Sequence, residues 1–153
     1  MHKNNIHVVS RAVLIDQEHI LLCKTTDLEN NYYFLPGGHI EYMESAENVL
    51  IRELMEETGY ECEIKRFLGC FEHSFEPSHN NICHNHEYNF IFEVKSASLH
   101  LNSSIIKLEE NIELQWHHLN DIYNIDFRRK SLLPIILQWQ KDKTNNLLQS
   151  VMI

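Results

Sequence analysis

The chain is 153 residues long, 43% hydrophobic and 23% charged, which suits one globular domain with a core of its own. Its 22 acidic against 13 basic residues leave a net charge of −9. That balance argues against duplex nucleic acid or an anionic membrane as a partner, since phosphate surfaces are met by basic faces. Small phosphorylated substrates stay open, because a divalent cation held by carboxylates reverses the local field.

The N-terminus, Met1-His2-Lys3-Asn4-Asn5, leads into no apolar stretch of secretory length. No run approaches the roughly 18 apolar residues of a membrane-spanning helix. Cys23, Cys62, Cys70 and Cys83 form no C-x-x-C pair and lie mostly in apolar-patterned segments, so reduced thiols and a cytoplasmic location are expected. Residues 8–15 and 20–23 read as two strands around the polar turn Asp16-Gln17-Glu18-His19. Tyr33-Phe34-Leu35 reads as a short strand, ended by Pro36-Gly37-Gly38, where the chain must turn.

From 45 to 58 the pattern is helical, with Ser45 as N-cap and Gly59 where a left-handed C-terminal residue belongs. Residues 62–75 and 88–94 are β-rich, and the polar, histidine-rich stretch 77–86 between them reads as an exposed loop. A last strand over 113–119 and a closing helix over 131–141, with Pro134 in its first turn, follow. The tail 143–153 either frays or docks through Leu147, Leu148 and Val151. This order predicts a single α/β (or α+β) domain over 1–153, with a core about 6–142 and a mixed sheet carrying helices on its faces.

At about 100° per residue the central helix divides into an apolar stripe, Leu50, Leu54, Ile51 and Met55, and a polar one, Arg52, Glu56, Glu53 and Glu57. Three carboxylates at such spacing repel one another unless something offsets the charge. Carboxylate oxygens on one rigid face suit Mg²⁺ or Mn²⁺, which bind through a few carboxylates together with substrate phosphates. The Gly37-Gly38 turn leaves room for a metal or phosphate to approach the backbone, and Arg52 is placed to orient a carboxylate. Taken alone, a glutamate-rich helix is more often a solvated face. The spacing around it weighs against that.

From Gly38 the residues run five positions to Glu44, seven more, then Arg52-Glu53-Leu54-Met55-Glu56-Glu57-Thr58-Gly59-Tyr60. This resembles, at every fixed position, the signature of the Nudix (MutT-like) hydrolases, in which R-E-U-x-E-E-x-G-U closes the box and U is bulky and apolar. Leu35-Pro36-Gly37-Gly38, Glu41 and Glu113-Leu114-Gln115-Trp116 look like the family's flanking strands. One departure is Tyr42-Met43, where many members carry Pro-Gly; Tyr42 is then a candidate to face the substrate.

The resemblance implies an α/β/α sandwich with a catalytic loop-helix-loop and Mg²⁺-dependent hydrolysis of the pyrophosphate linkage in a nucleoside diphosphate bonded to another group, with Mn²⁺ as a substitute. It implies that Glu53, Glu56 and Glu57 hold the metal with the Gly37 carbonyl, that Glu44 supports the site and that Arg52 positions carboxylates. The general base is Glu53 or a glutamate of a later loop, with Glu110 ranked before Glu87 and Glu109 also available. Candidate substrates are oxidised or canonical (d)NTPs, ADP-ribose and nucleotide sugars, handled by a monomer or homodimer. A non-catalytic nucleotide sensor and an RNA 5′-end pyrophosphohydrolase are the alternatives.

Other features carry less. His79, Cys83, His84 and His86 match no zinc-finger spacing. His73, His117 and His118 read as strand-end residues. Tyr32, Tyr33, Phe34, Phe71, Phe75 and Phe90 more often fill cores than stack on a base. Pro77 lies near a proline of ADP-ribose-cleaving relatives.

Overall fold

The computed structural model describes residues 6–26, 31–75, 85–106, 109–142 and 147–151. Pro77, His79, Cys83 and His84, and with them most of the expected histidine-rich loop, lie outside these residues.

β1 (Ile6–Asp16) and β2 (His19–Thr25) are joined through Gln17 and Glu18 alone. Both turn residues have positive φ, 46° and 62°, the pair of left-handed conformations by which a two-residue hairpin follows strand twist. Asp16 pairs with His19, so the hairpin is tighter than the four polar residues suggest.

β1 also anchors the Gly37-Gly38 segment. It runs parallel to β6 (His86–Lys95) from Ile6↔His86 to Leu14↔Val94, and antiparallel to β4 (Gly37–His39). The glycines expected to form only a turn therefore lie in a strand, docked at Ser10↔Gly38 and Arg11↔Gly37. β5 (Glu63–Ser74) extends the sheet antiparallel to β6, and β8 (Leu147–Val151) adds in parallel to β5. Over these five residues the tail is a paired strand. On the other branch, β2 pairs antiparallel with β3 (Tyr33–Phe34) and with β7 (Ile112–His118).

The mixed sheet is flanked by helices, as expected. α1 (Ala46–Thr58) places Leu50 and Leu54 in a core with Ala12, Leu14, Leu21, Phe92 and Val94. α2 (Leu132–Lys141) packs Leu132, Leu133, Ile136 and Trp139 against Val13, Ile20, Leu22, Leu68, Phe71 and Ile91. Alternating β1 residues serve the two cores, Ala12 and Leu14 facing one and Val13 the other, the period-2 geometry of a strand buried on both sides. A short 3-10 turn, Ile122–Asn124, precedes α2. No helix among the described residues is long and apolar enough to cross a membrane.

Candidate active site

α1 is closed at both ends by local bonds. Ser45 Oγ accepts from the Asn48 amide at 3.2 Å, and Gly59, at φ 72°, donates its N–H to Met55 O at 2.9 Å. Both are the caps expected from the sequence, and they fix the first and last turns that carry the charged residues.

The division of the helix differs from the two-stripe expectation. Ile51 and Met55 are exposed, 37% and 41%, whereas Glu57 is 5% exposed and lies among Val49, Leu50, Leu54 and Thr58 on the inner face. Glu57 follows Leu50 by seven residues, nearly two full turns, so the two share an azimuth. The inner face thus includes a carboxylate, and the apolar stripe is narrower than a count of hydrophobic letters implies.

Two glycines seat the glutamates. The Gly37 amide donates to Glu57 Oε2 at 3.2 Å, and Cys23 Sγ donates to Oε1 at 3.8 Å. A Cβ on Gly37, whose φ is 127°, would meet Ser10 O at 2.1 Å; one on Gly38 would meet Glu53 Cδ at 2.3 Å. Gly37 lets the strand lie flush on β1, and Gly38 leaves the space that the Glu53 carboxylate occupies. Burial pushes the Glu57 carboxyl up to about 8, against the pull of the Arg11 charge and the Gly37 amide, with Glu109 and Glu53 adding to the rise.

Arg52 gathers the remaining box carboxylates. Its Nε and Nη2 donate to the two oxygens of Glu44 at 3.0 and 3.1 Å, a bidentate pair. Its Nη1 donates to Glu53 at 2.7 Å and reaches Glu56 at 3.4 Å. These bonds hold the Glu44 carboxyl below its ordinary range and raise the Arg52 guanidinium. Glu44, Arg52, Glu53 and Glu56 therefore form one cluster, and Glu57 with Gly37 forms a second, buried against β4.

As a donor set for a divalent cation these residues fit in chemistry. They supply hard oxygens from one helix, and the space above Gly38 lets the Glu53 carboxylate lie on the backbone. Among the described residues, no group of three or more His, Cys, Asp or Glu side chains is arranged to hold a metal ion; Arg52 occupies the point on which Glu44, Glu53 and Glu56 converge.

The later glutamates separate clearly. Glu110 is exposed, and its backbone carbonyl accepts from Thr26 Oγ1 at 3.5 Å. Glu109 is partly buried, and its charge is felt at both Glu57 and Cys23. Glu87 is not a loop residue: it lies in β6 at 6% exposure and pairs with Arg129 Nη2 at 2.7 Å. Tyr42 and Met43 stand in solvent, 95% and 86% exposed. Met43 has φ 68°, a left-handed conformation that glycine adopts more readily than other residues.

Sequence reasoning passed over Arg11, which donates from Nη1 to the carbonyls of Leu35 at 3.1 Å and Gly37 at 3.0 Å. The only signal was an arginine in an otherwise apolar strand, between Val9 and Val13 on the same face.

Comparison with known proteins finds related sequences and folds. Residues 6–139 match the family model described as NUDIX domain. A Bacillus subtilis protein whose name proposes 8-oxo-dGTP diphosphatase activity is 38% identical over 60 residues, 39% of this chain and 39% of its own length. The chain thus spans about two fifths of that relative. An ADP-ribose pyrophosphatase of Methanocaldococcus jannaschii is 23% identical over 125 residues, covering 82% of this chain and 69% of that protein. A NUDIX hydrolase structure from Nitrosomonas europaea superposes with a TM-score of 0.71 at 21% identity, covering 94% of each chain, which supports the fold.

Proposed function

This chain belongs to the Nudix family, and from that premise we propose that it hydrolyses the pyrophosphate linkage of a nucleoside diphosphate bonded to a further group, using Mg²⁺. The observation that carries this reading is the seating of two α1 carboxylates on two glycines, Glu57 on the Gly37 amide and Glu53 above Gly38. Nothing in the packing of a merely solvated acidic helix calls for it.

In this reading Glu53, Glu56 and Glu57, with the Gly37 carbonyl, hold the cation. When bound, it neutralises phosphate charge and lowers the pKa of an attacking water. Arg52 is a positioner: while it holds Glu44 by two bonds it sets the direction from which Glu53 and Glu56 approach. Glu44 is the anchor of that arginine. For the base, Glu53 and a later glutamate remain the two choices. In the later loop the electrostatic coupling of Glu109 to Glu57 favours Glu109 over the Glu110 ranked first from spacing.

The substrates to try first are canonical and oxidised (d)NTPs and ADP-ribose, the chemistry named for the two relatives, followed by nucleotide sugars. Purified protein is incubated with each compound in Mg²⁺ or Mn²⁺, and released phosphate, pyrophosphate or nucleoside monophosphate is measured, with ¹⁸O water marking the phosphorus attacked. Cation-dependent turnover that disappears in Glu53→Gln is expected. Tight nucleotide binding without turnover across the panel would replace this reading with a sensor.

A further inference from the structure

Arg11 carries a half-buried charge in a strand whose neighbouring inward positions are apolar. Its neighbours on the same face of β1, Val9 and Val13, are fully buried at 0% exposure, so an apolar residue would suit the strand. Even partial withdrawal of a cation from water carries a cost, and ion pairs in such places are often replaced by apolar residues with no loss of stability. Burial does pull the Arg11 pKa down, and the carboxylates whose charge opposes that pull are Glu87 and Glu57.

What Arg11 does is local. Its Nη1 bridges the carbonyls on both sides of Pro36, those of Leu35 and Gly37, and its guanidinium lies 5.5 Å from the Phe34 ring centroid. The adjacent Ala12 amide donates to the Pro36 carbonyl at 2.9 Å. Gly37 is thereby held on both sides, its N–H by Glu57 and its C=O by Arg11.

Arg11 is in turn backed by a second pair. Glu87 accepts from Arg129 Nη2 at 2.7 Å and from Asn89 Nδ2 at 3.4 Å. Arg129, 5.0 Å from the Phe75 centroid, adopts φ 75°. That left-handed conformation costs an arginine on the order of 1–2 kcal/mol. The sequence Glu57, Arg11, Glu87, Arg129 alternates in sign from α1, through β1 and β6, to the loop before α2.

We propose that Arg11 is a positioning residue for the reaction: it aims the Gly37 carbonyl and balances Glu57 so that both face the same cation, and the Glu87–Arg129 pair holds Arg11 in place. This assignment rests on the reading that the Glu53–Glu57 face takes a divalent metal. Arg11 touches neither substrate nor metal in it. Its effect belongs to metal affinity and kcat, not to substrate capture, as expected of groups that orient ligands from behind.

The test compares wild type with Arg11→Met, Arg11→Lys and Glu87→Gln. Mn²⁺ affinity is measured by electron paramagnetic resonance, and kcat and KM on the substrate found active. Hydrogen exchange of the Gly37 amide is followed by NMR in EDTA, which reads the turn without any metal. Arg11→Met is expected to lose about 10- to 100-fold in Mn²⁺ affinity and a comparable factor in kcat, with KM within threefold and faster Gly37 exchange. Arg11→Lys, which keeps the charge, is expected to recover part of each. If Arg11→Met fails to fold, Glu87→Gln carries the test, since it leaves Arg11 in the chain but removes the anion behind it; weaker Mn²⁺ binding with unchanged KM supports the assignment. Variants matching wild type within twofold in Mn²⁺ affinity and kcat overturn the assignment alone. A wild type that binds no Mn²⁺ overturns both it and the metal reading beneath it.

Discussion

α1 and α2 cover opposite faces of one sheet and are held there by different means. α1 is bonded at both ends, by Ser45 and Gly59, and one of its five buried residues is a glutamate. α2 has no side-chain bond at its N-cap, Ser131, but buries Leu132, Leu133, Ile136 and Trp139 to 3% exposure or less. A helix that gives part of its inner face to a carboxylate has less apolar surface with which to dock, and its side-chain N-cap takes up some of the work. A helix without chemistry is free to dock by packing alone.

On that contrast, chemistry and stability are expected to separate between the helices. Glu53→Gln should abolish turnover by on the order of 10³-fold, about 4 kcal/mol of barrier, while its thermal midpoint stays near that of wild type; steady-state kinetics and calorimetry on one preparation check both. Trp139→Ala should do the reverse, costing about 3–5 kcal/mol of stability with turnover retained by the folded fraction. Urea titration followed by activity at low denaturant measures this. A Trp139→Ala protein that folds stably yet has lost kcat would undo the separation.

A pH effect belongs to the α2 side. Burial and the Arg129 charge hold His73 down at about 4, opposed by Glu87, with His86 adding to the fall. A histidine kept neutral in the folded chain gives up no stability above its unfolded value of about 6.5. As pH falls below that value the unfolded chain takes the proton first, so stability declines until about pH 4. His73→Phe should flatten the decline in denaturation midpoints recorded from pH 7 to 4; an unchanged slope would place it elsewhere.

Smaller effects sharpen the picture of α1. Ser45→Ala should cost about 1 kcal/mol through the lost bond to Asn48, read from the urea midpoint. Ile51→Lys should stay within about 0.5 kcal/mol, as exposed substitutions do, whereas a core position would lose several times as much. The same titration decides between the inner face described above and the broader apolar stripe.

Much of this organisation was legible in the sequence, and the reasons for the remainder are physical. The caps of α1 were readable because serine and glycine act locally, through one bond and one conformation. The spacing of Arg52, Glu53 and Glu56 was readable because a helix converts separation along the chain into neighbourhood. The burial of Glu57 was not read, because apolar letters were grouped by kind instead of by azimuth. The Gln17-Glu18 turn lacked glycine and asparagine, the residues that ordinarily announce positive φ. Arg11, Glu87 and Arg129 stand far apart in sequence and meet only through β1 and β6, so no local pattern reports them. The preference between Glu109 and Glu110 depends on where the loop before β7 comes back to β2, which spacing alone does not determine.

The parallel pairing of β1 with β6 has a consequence for the order of assembly. Every residue of the box has been synthesised once Tyr60 is added, yet β1, on which Gly37 and Gly38 dock, finds its parallel neighbour only between His86 and Val94. Closing so long a loop is slow compared with forming a helix. A nascent chain stopped after Tyr60 would carry the whole signature and no site, and refolding should restore α1 by circular dichroism well before Gly37 becomes protected on the edge of β1.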